Sequence, residues 1–365
     1  MTNFKPMAAS AALILATVTL AGAQEEKVLN IYNWYDYVGE TTIADFEKET
    51  GIKVNYDIFD SNEILEAKLM SGSTGYDIVV PASNFLARQI TAGLFLKIDR
   101  EKLTNFGNLA PELLSSLAVS DPGNSFAVPY TWGTTGIGYD ADKIKARMPD
   151  APTDSWDLVF KPENLQKFAD CGVAMVDSPA EIMAAALNYL GKDPNSEDKA
   201  DLLAAQDLMM SIRPYIKHFN SGQIINDLAG GEICIAVAYS GDISIAKARA
   251  AETKSTLNIA YIIPKEGAQI FFDTLAIPTD APHPENALAF MNYLLRPEVI
   301  AGVTNKVFFA NANAKAAEFV APEILKDPGI YPTADVRAKL FPLKAHAAKF
   351  DRLLTRAWTA IKAGG

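Results

Sequence analysis

The sequence predicts an α/β protein of two lobes joined by extended crossings, and three observations carry that reading. The first hundred residues alternate strand-type with helix-type patterning, which implies a mostly parallel sheet flanked by helices. The chain has 365 residues, 49% of them hydrophobic, more than one core usually organises, so two are expected. After Trp132 and Gly133 the same alternation starts afresh.

Taken in order, an apolar run over residues 7–20 follows Lys5 and ends at Ala21, Gly22 and Ala23. That is the pattern of a cleavable secretory signal over 1–23. About fourteen apolar residues are too few for the roughly 20 that span a bilayer. No cysteine follows the triplet to take a lipid anchor, so a free periplasmic protein is expected.

Residues 28–32 form a compact apolar run suited to a buried strand. Thr42, Ile43, Asp45 and Phe46 lead to Gly51, a helix with a Thr cap, an acid three residues on and a terminating glycine. Ile52, Val54 and Tyr56 alternate as a strand does. Ser61 opens a second helix carrying Leu65, Leu69 and Met70, and residues 76–80 form another buried-type strand. Ser83 begins a third helix, with Leu86 and Ile90 on one face.

Short strand-like runs at 126–130 and 135–139 flank Trp132 and Gly133, the first expected crossing. Helices around 182–190 and 202–212 and a strand at 233–239 would build the second lobe. Strand-type runs follow at 257–263 and 271–277. These two strands mark the return to the first lobe, and Leu288, Met291 and Leu295 after them are at helical spacing. A run at 307–309 precedes a helical tail. The division expected is lobe 1 over 24–132 with 263–307, and lobe 2 over 133–262 with 308–365. A ligand would bind in the cleft between them, at the carboxyl ends of the strands.

Asp and Glu number 44 against 33 Lys and Arg, a net charge of −11. Such a balance argues against nucleic acid or an anionic membrane surface and suits a cationic ligand. Cys171 and Cys234 are most simply a disulfide in an oxidising compartment, worth roughly 4 kcal/mol on the chain-entropy model. The competing reading is two buried free thiols. His218, His283 and His346 are scattered and neither cysteine has a second one nearby, so no metal and no cofactor are expected.

Enzymatic motifs are missing as well. There is no Gly-x-Ser-x-Gly elbow. The cluster Gly133, Gly136 and Gly138 has neither the Rossmann order nor a P-loop lysine. What remains is aromatic residues beside acids at predicted strand ends: Trp34, Tyr35 and Asp36; Tyr239 and Asp242; Phe271 and Asp273. Taken singly, each aromatic reads more readily as a core or turn residue, and only the three coincidences at strand ends bring the two readings level. Together they are what a diamine needs, because its methylenes can lie between rings while each ammonium seeks carboxylates and ring faces.

At these residues the chain closely resembles the periplasmic polyamine-binding proteins of ABC transporters, specifically the putrescine receptors of the class II solute-binding fold. The most specific stretches are 31–37 (IYNWYDY), 46–53 (FEKETGIK), 59–63 (FDSNE), 135–139 (TGIGY), 188–195 (NYLGKDPN), 271–273 (FFD), 292–297 (NYLLRP) and 328–341 (PGIYPTADVRAKLF). The resemblance implies that Trp34 and Tyr239 sandwich the ligand chain, with Phe271 as a further wall. Asp36 would meet one ammonium, Asp242 and Asp273 the other, and Glu181 would contribute from the second lobe. It implies a Cys171–Cys234 disulfide, delivery to a membrane permease, no catalysis and a monomer. Tyr35 and Ala82 depart from small hydroxyl residues, Tyr239 from a Trp and Phe309 from a Tyr. Tyr35, Ala82, Asn84, Phe85, Phe309 and Leu343 complete the expected ligand-binding set. Asp242 and Leu343 match the putrescine type, so putrescine is expected first, with spermidine or another short polyamine, or a sensing role, as alternatives.

Overall fold

The computed structural model describes residues 1–2, 25–35, 37–59 and 61–364. The expected signal segment thus lies, but for its first two residues, outside the described residues, as does Asp36. Among the described residues, eleven strands form one mixed sheet: β1 (Val28–Trp34), β2 (Lys53–Phe59), β3 (Ile78–Val79), β4 (Ala127–Asp140), β5 (Val173–Met175), β6 (His218–Phe219), β7 (Ile235–Tyr239), β8 (Ile259–Ile262), β9 (Gln269–Ala276), β10 (Ala310–Asn311) and β11 (Phe341–Pro342). The central order is β2-β1-β3-β9-β4-β7-β5-β6.

Each end of that order is parallel and its middle is antiparallel. β1 pairs in parallel with β2 and β3 on one side, and β5 with β6 and β7 on the other. Helices join these parallel neighbours, because a parallel pair needs a long crossover. β4 and β9 run antiparallel to each other and to their neighbours in that order, while β11 pairs with β9 in parallel.

Local chemistry sets the connecting helices. Helix Thr42–Thr50 buries Phe46 against Phe290 and Tyr293, with ring centroids 4.9 and 5.3 Å apart. Gly51 closes it at φ 69°, a left-handed conformation that glycine adopts without a steric penalty. The expected Thr42 cap differs: Thr41 holds the cap position and makes no side-chain cap bond. Ser61 does cap the next helix, its hydroxyl accepting from the Ile64 N–H at 3.2 Å. Ser83 starts helix Ser83–Thr91, but its hydroxyl accepts from the Phe272 N–H instead.

β4 corrects the expectation of two short strands. Its 14 residues are all buried and run continuously through Trp132 and Gly133, with an irregularity between Pro129 and Thr131. The reason is tertiary. The first part pairs with β9 and the last part with β7 and β8, so one strand serves two neighbourhoods.

Two hydrophobic clusters take up the two ends of this strand, Ala127 to Trp132 in the first and Ile137 and Tyr139 in the second. The first gathers side chains from 29–132 and 270–330, the second those from 137–259 and 350–361 with Ala268. The buried hydrophobic residues of 309–330 pack with the first cluster. β10 accounts for this, since Ala310 and Asn311 pair with Trp132 and Thr131 in the first part of β4. The chain passes to the second cluster later, through β11 and the terminal helix Ala348–Ala363, whose Trp358 and Ile361 are buried there.

Cys171 and Cys234 form a disulfide with Cα atoms 5.5 Å apart, closing a separation of 63 residues. Its loop-closure contribution is about 4 kcal/mol. A Cys171→Ser/Cys234→Ser variant is expected to lose about that much unfolding free energy in urea denaturation. An unchanged midpoint, in the variant or under reductant, would refute it.

Candidate functional site

Two helices begin where strands of the second cluster end, and each carries an acid in its first turn. Glu181 lies at the start of helix Pro179–Tyr189, soon after β5, and Asp242 at the start of helix Ser240–Glu252, directly after β7. Helix amino ends carry partial positive charge, so both positions favour a carboxylate. Asp273 comes from the first cluster's side, buried on β9, opposite Thr131 and bridged to Ala82.

Hydroxyl groups, not cations, hold two of these acids, Asp273 and Glu181. The Tyr37 hydroxyl donates to Asp273 Oδ2 at 2.9 Å and shares a 2.7 Å hydrogen bond with Thr131 Oγ1. Because Tyr37 has one proton, Thr131 supplies the proton of the second bond whenever Asp273 is ionised. Thr135 Oγ1 donates to Glu181 Oε2 at 2.9 Å, and the Tyr239 hydroxyl donates to Glu181 Oε1 at 3.1 Å. Among the described residues, none donates a hydrogen bond to Asp242, and no Lys, Arg or His pairs with any of the three acids.

Burial without cations shifts all three upward. Asp242 is pushed up to about 7 by loss of solvent, and Asp273 also to about 7, with the Tyr37 hydrogen bond pulling the other way. Glu181 is raised to about 7, chiefly by burial; the charges of Asp273 and Asp242 add to this, while its two hydroxyl donors oppose it. Burial and the neighbouring carboxylates also hold the Tyr37 and Tyr239 phenols well above their usual range.

Aromatic rings run continuously beside the acids. Tyr239 meets Phe271 edge-on at 5.3 Å, Phe271 meets Phe309 at 6.1 Å, and Phe309 meets Tyr37 at 5.5 Å. Two glycines permit this approach. A Cβ on Gly133 would sit 2.8 Å from Phe271 Cζ, and one on Gly241 would collide with the Phe309 ring. Gly133, one of the three clustered glycines that lack the order of a nucleotide-binding turn, thus serves packing here.

The remaining expected residues are placed less uniformly. Trp34 ends β1 half-buried, its indole N–H donating to the Val80 carbonyl at 3.0 Å and its ring tilted on Phe59 at 4.6 Å. Tyr35 is 73% exposed. Asn84 accepts from the Phe85 N–H, and Phe85 lies under the Arg88 guanidinium at 3.9 Å. Leu343 is buried just beyond β11. No hydrogen bond, ion pair or ring contact among the described residues ties Trp34, Tyr35, Asn84, Phe85 or Leu343 to the three acids.

Sequence reading missed Tyr37, Thr131 and Thr135. Tyr37 and Thr135 stood inside the quoted stretches 31–37 and 135–139, but nothing local marks a hydroxyl as the partner of an acid far along the chain. Tyr37 and Asp273 are 236 residues apart.

An acid with a higher pKa folded than unfolded binds its proton preferentially in the folded chain. Its stabilising contribution is complete below the usual carboxylate range and is lost as pH rises through about 7. Asp242→Asn is therefore expected to match the parent near pH 4 and to unfold at a higher temperature than the parent above about pH 8, without ligand. Thermal unfolding at both pH values checks this, and a variant with no alkaline gain contradicts the burial argument.

Residues 41–333 match the family model of bacterial extracellular solute-binding proteins. A putrescine-binding periplasmic protein of Escherichia coli (strain K12) is 54% identical over 360 residues, covering 98% of this chain and 97% of that protein. A putrescine-binding periplasmic protein of Pseudomonas aeruginosa (strain UCBPP-PA14) is 53% identical over 358 residues, covering 96% and 98%. Among solved structures, a spermidine/putrescine ABC transporter substrate-binding protein from Streptococcus pneumoniae superposes with a TM-score of 0.81 at 28% identity, covering 93% of this chain and 99% of that one. On the family match, the near full-length similarity and the shared two-lobed α/β architecture, this chain belongs to the bacterial extracellular solute-binding proteins.

Proposed function

We propose that the chain captures a short polyamine, putrescine first, between its two lobes and delivers it to the permease of an ABC transporter. The observation that carries this reading is the group of buried Glu181 and Asp273 and partly buried Asp242, beside Tyr37, Tyr239, Phe271 and Phe309, with no cation among the described residues to pair with them. Such a group is costly until a positive ligand arrives, because each buried charge lacks its counter-charge. A diamine supplies two ammoniums and an apolar spacer, which the carboxylates and rings respectively suit. The names of the two putrescine-binding relatives point the same way.

The same reading gives the chain a binding role without turnover. Glu181, Asp242 and Asp273 share their surroundings with hydroxyls and rings, and none stands beside a Cys or His nucleophile or base among the described residues. It works as a monomer in the periplasm after removal of the signal over 1–23. On the family resemblance, Asp36 and Trp34 would meet the ligand from the first lobe, and closure of the lobes would bury the ammoniums.

Asp273→Asn and Trp34→Ala are each expected to weaken putrescine binding more than about tenfold while the fold is kept. Calorimetry gives the affinity and circular dichroism the fold. Unchanged affinity in both variants would remove this pocket from consideration. A thermal-shift panel of putrescine, cadaverine, agmatine, spermidine and spermine ranks the ligands. No stabilisation by any of them would sink the polyamine reading.

A further inference from the structure

Glu181 is the acid whose geometry is most closely defined, and the two groups that define it sit at the junction of the sheet. Thr135 is the residue at which β4 changes partner: it pairs with Gln269 of β9 and with Tyr239 of β7. Its side chain is buried, and its single proton goes to the nearer acceptor, Glu181 Oε2 at 2.9 Å, with Gln269 Oε1 at 3.4 Å. Tyr239, its neighbour across the ladder, takes the other oxygen of the same carboxyl. Both oxygens of Glu181 are thus clamped by donors from adjacent strands, where the two hydrophobic clusters meet.

We propose that Thr135 and Tyr239 are positioning residues for ligand capture: their hydroxyls fix the Glu181 carboxyl in place and favour its anionic form, so that it can pair with a ligand nitrogen. The proposal rests on the polyamine reading of the site. A hydroxyl donor favours a carboxylate over a carboxylic acid, and the charged acceptor makes each bond stronger than a neutral one. The groups acting on Glu181 from other elements oppose ionisation. Asp242 comes from the helix after β7, Asp273 from β9, and the Tyr261 phenol from β8 also feels its charge. No Lys, Arg or His among the described residues offsets them. A protonated Glu181 would offer an ammonium far less, since the ammonium has donors only.

Thr135→Val and Tyr239→Phe each remove one hydroxyl and keep the shape of the strand residue or ring. Carbon-13 NMR of the ligand-free protein, with labelled glutamate and the Glu181 signal assigned through Glu181→Gln, follows the titration directly. The midpoint is expected to rise by about half a unit or more in each single variant and further in the double variant, whereas Thr135→Ser keeps the parent value. In calorimetry with putrescine, each single variant is expected to bind about fivefold more weakly at neutral pH and to recover to within about twofold near pH 9.

A midpoint unmoved in the double variant overturns the proposal, and so does an affinity loss of equal size at every pH, which marks a merely structural role. Should the parent protein bind none of putrescine, cadaverine, agmatine, spermidine and spermine, the polyamine reading fails. The ligand-free titration still decides whether the two hydroxyls govern Glu181.

Discussion

The structure depends on one constraint: three carboxylates are taken out of water beside aromatic rings, and among the described residues no cation accompanies them. Burying charge is unfavourable unless partners are supplied. Here the partners are hydroxyls of Tyr37, Thr135 and Tyr239, which ease the penalty without cancelling the charge. The site therefore keeps an unmet demand for positive charge, and a cationic ligand satisfies it where a neutral or anionic one would not.

The backbone that makes this arrangement possible is β4. A continuous strand of 14 buried residues bonds Thr131 to the Tyr37 hydroxyl that holds Asp273 and Thr135 to Glu181 itself, so acids supplied from β9 and from the helix Pro179–Tyr189 are referred to one ruler. Pairing with β9 over the first part and with β7 over the last gives the strand a foot in each hydrophobic cluster. Gly133 and Gly241 then let Phe271 and Phe309 approach backbone that any side chain would hold away. Small residues at these points trade local packing for a continuous aromatic wall.

Function and stability pull against each other at these positions. Raised carboxyl pKa values mean that the folded chain prefers the protonated acids, yet a polyamine is best met by the ionised ones. The helix starts behind Glu181 and Asp242 and the hydroxyl donors both act toward ionisation. The surrounding framework absorbs the cost through two large apolar clusters and a disulfide across the second one.

Much of the framework was legible from local pattern. The strand and helix alternation before residue 92, the Ser61 cap, the Gly51 stop, and acids beside aromatics at strand ends all follow from periodicities and side-chain chemistry that act over a few residues. The family resemblance rested on equally local stretches. Only the tertiary structure decided that β4 is one strand, that 309–330 pack with the first cluster, and that Tyr37, Thr131 and Thr135 serve the acids. Those outcomes depend on contacts between residues far apart in the chain, such as Ala310 against Trp132 and Tyr37 against Asp273. A hydrophobic period reveals which face of a segment is buried, but not which distant segment buries it or which hydroxyl it brings to a buried acid.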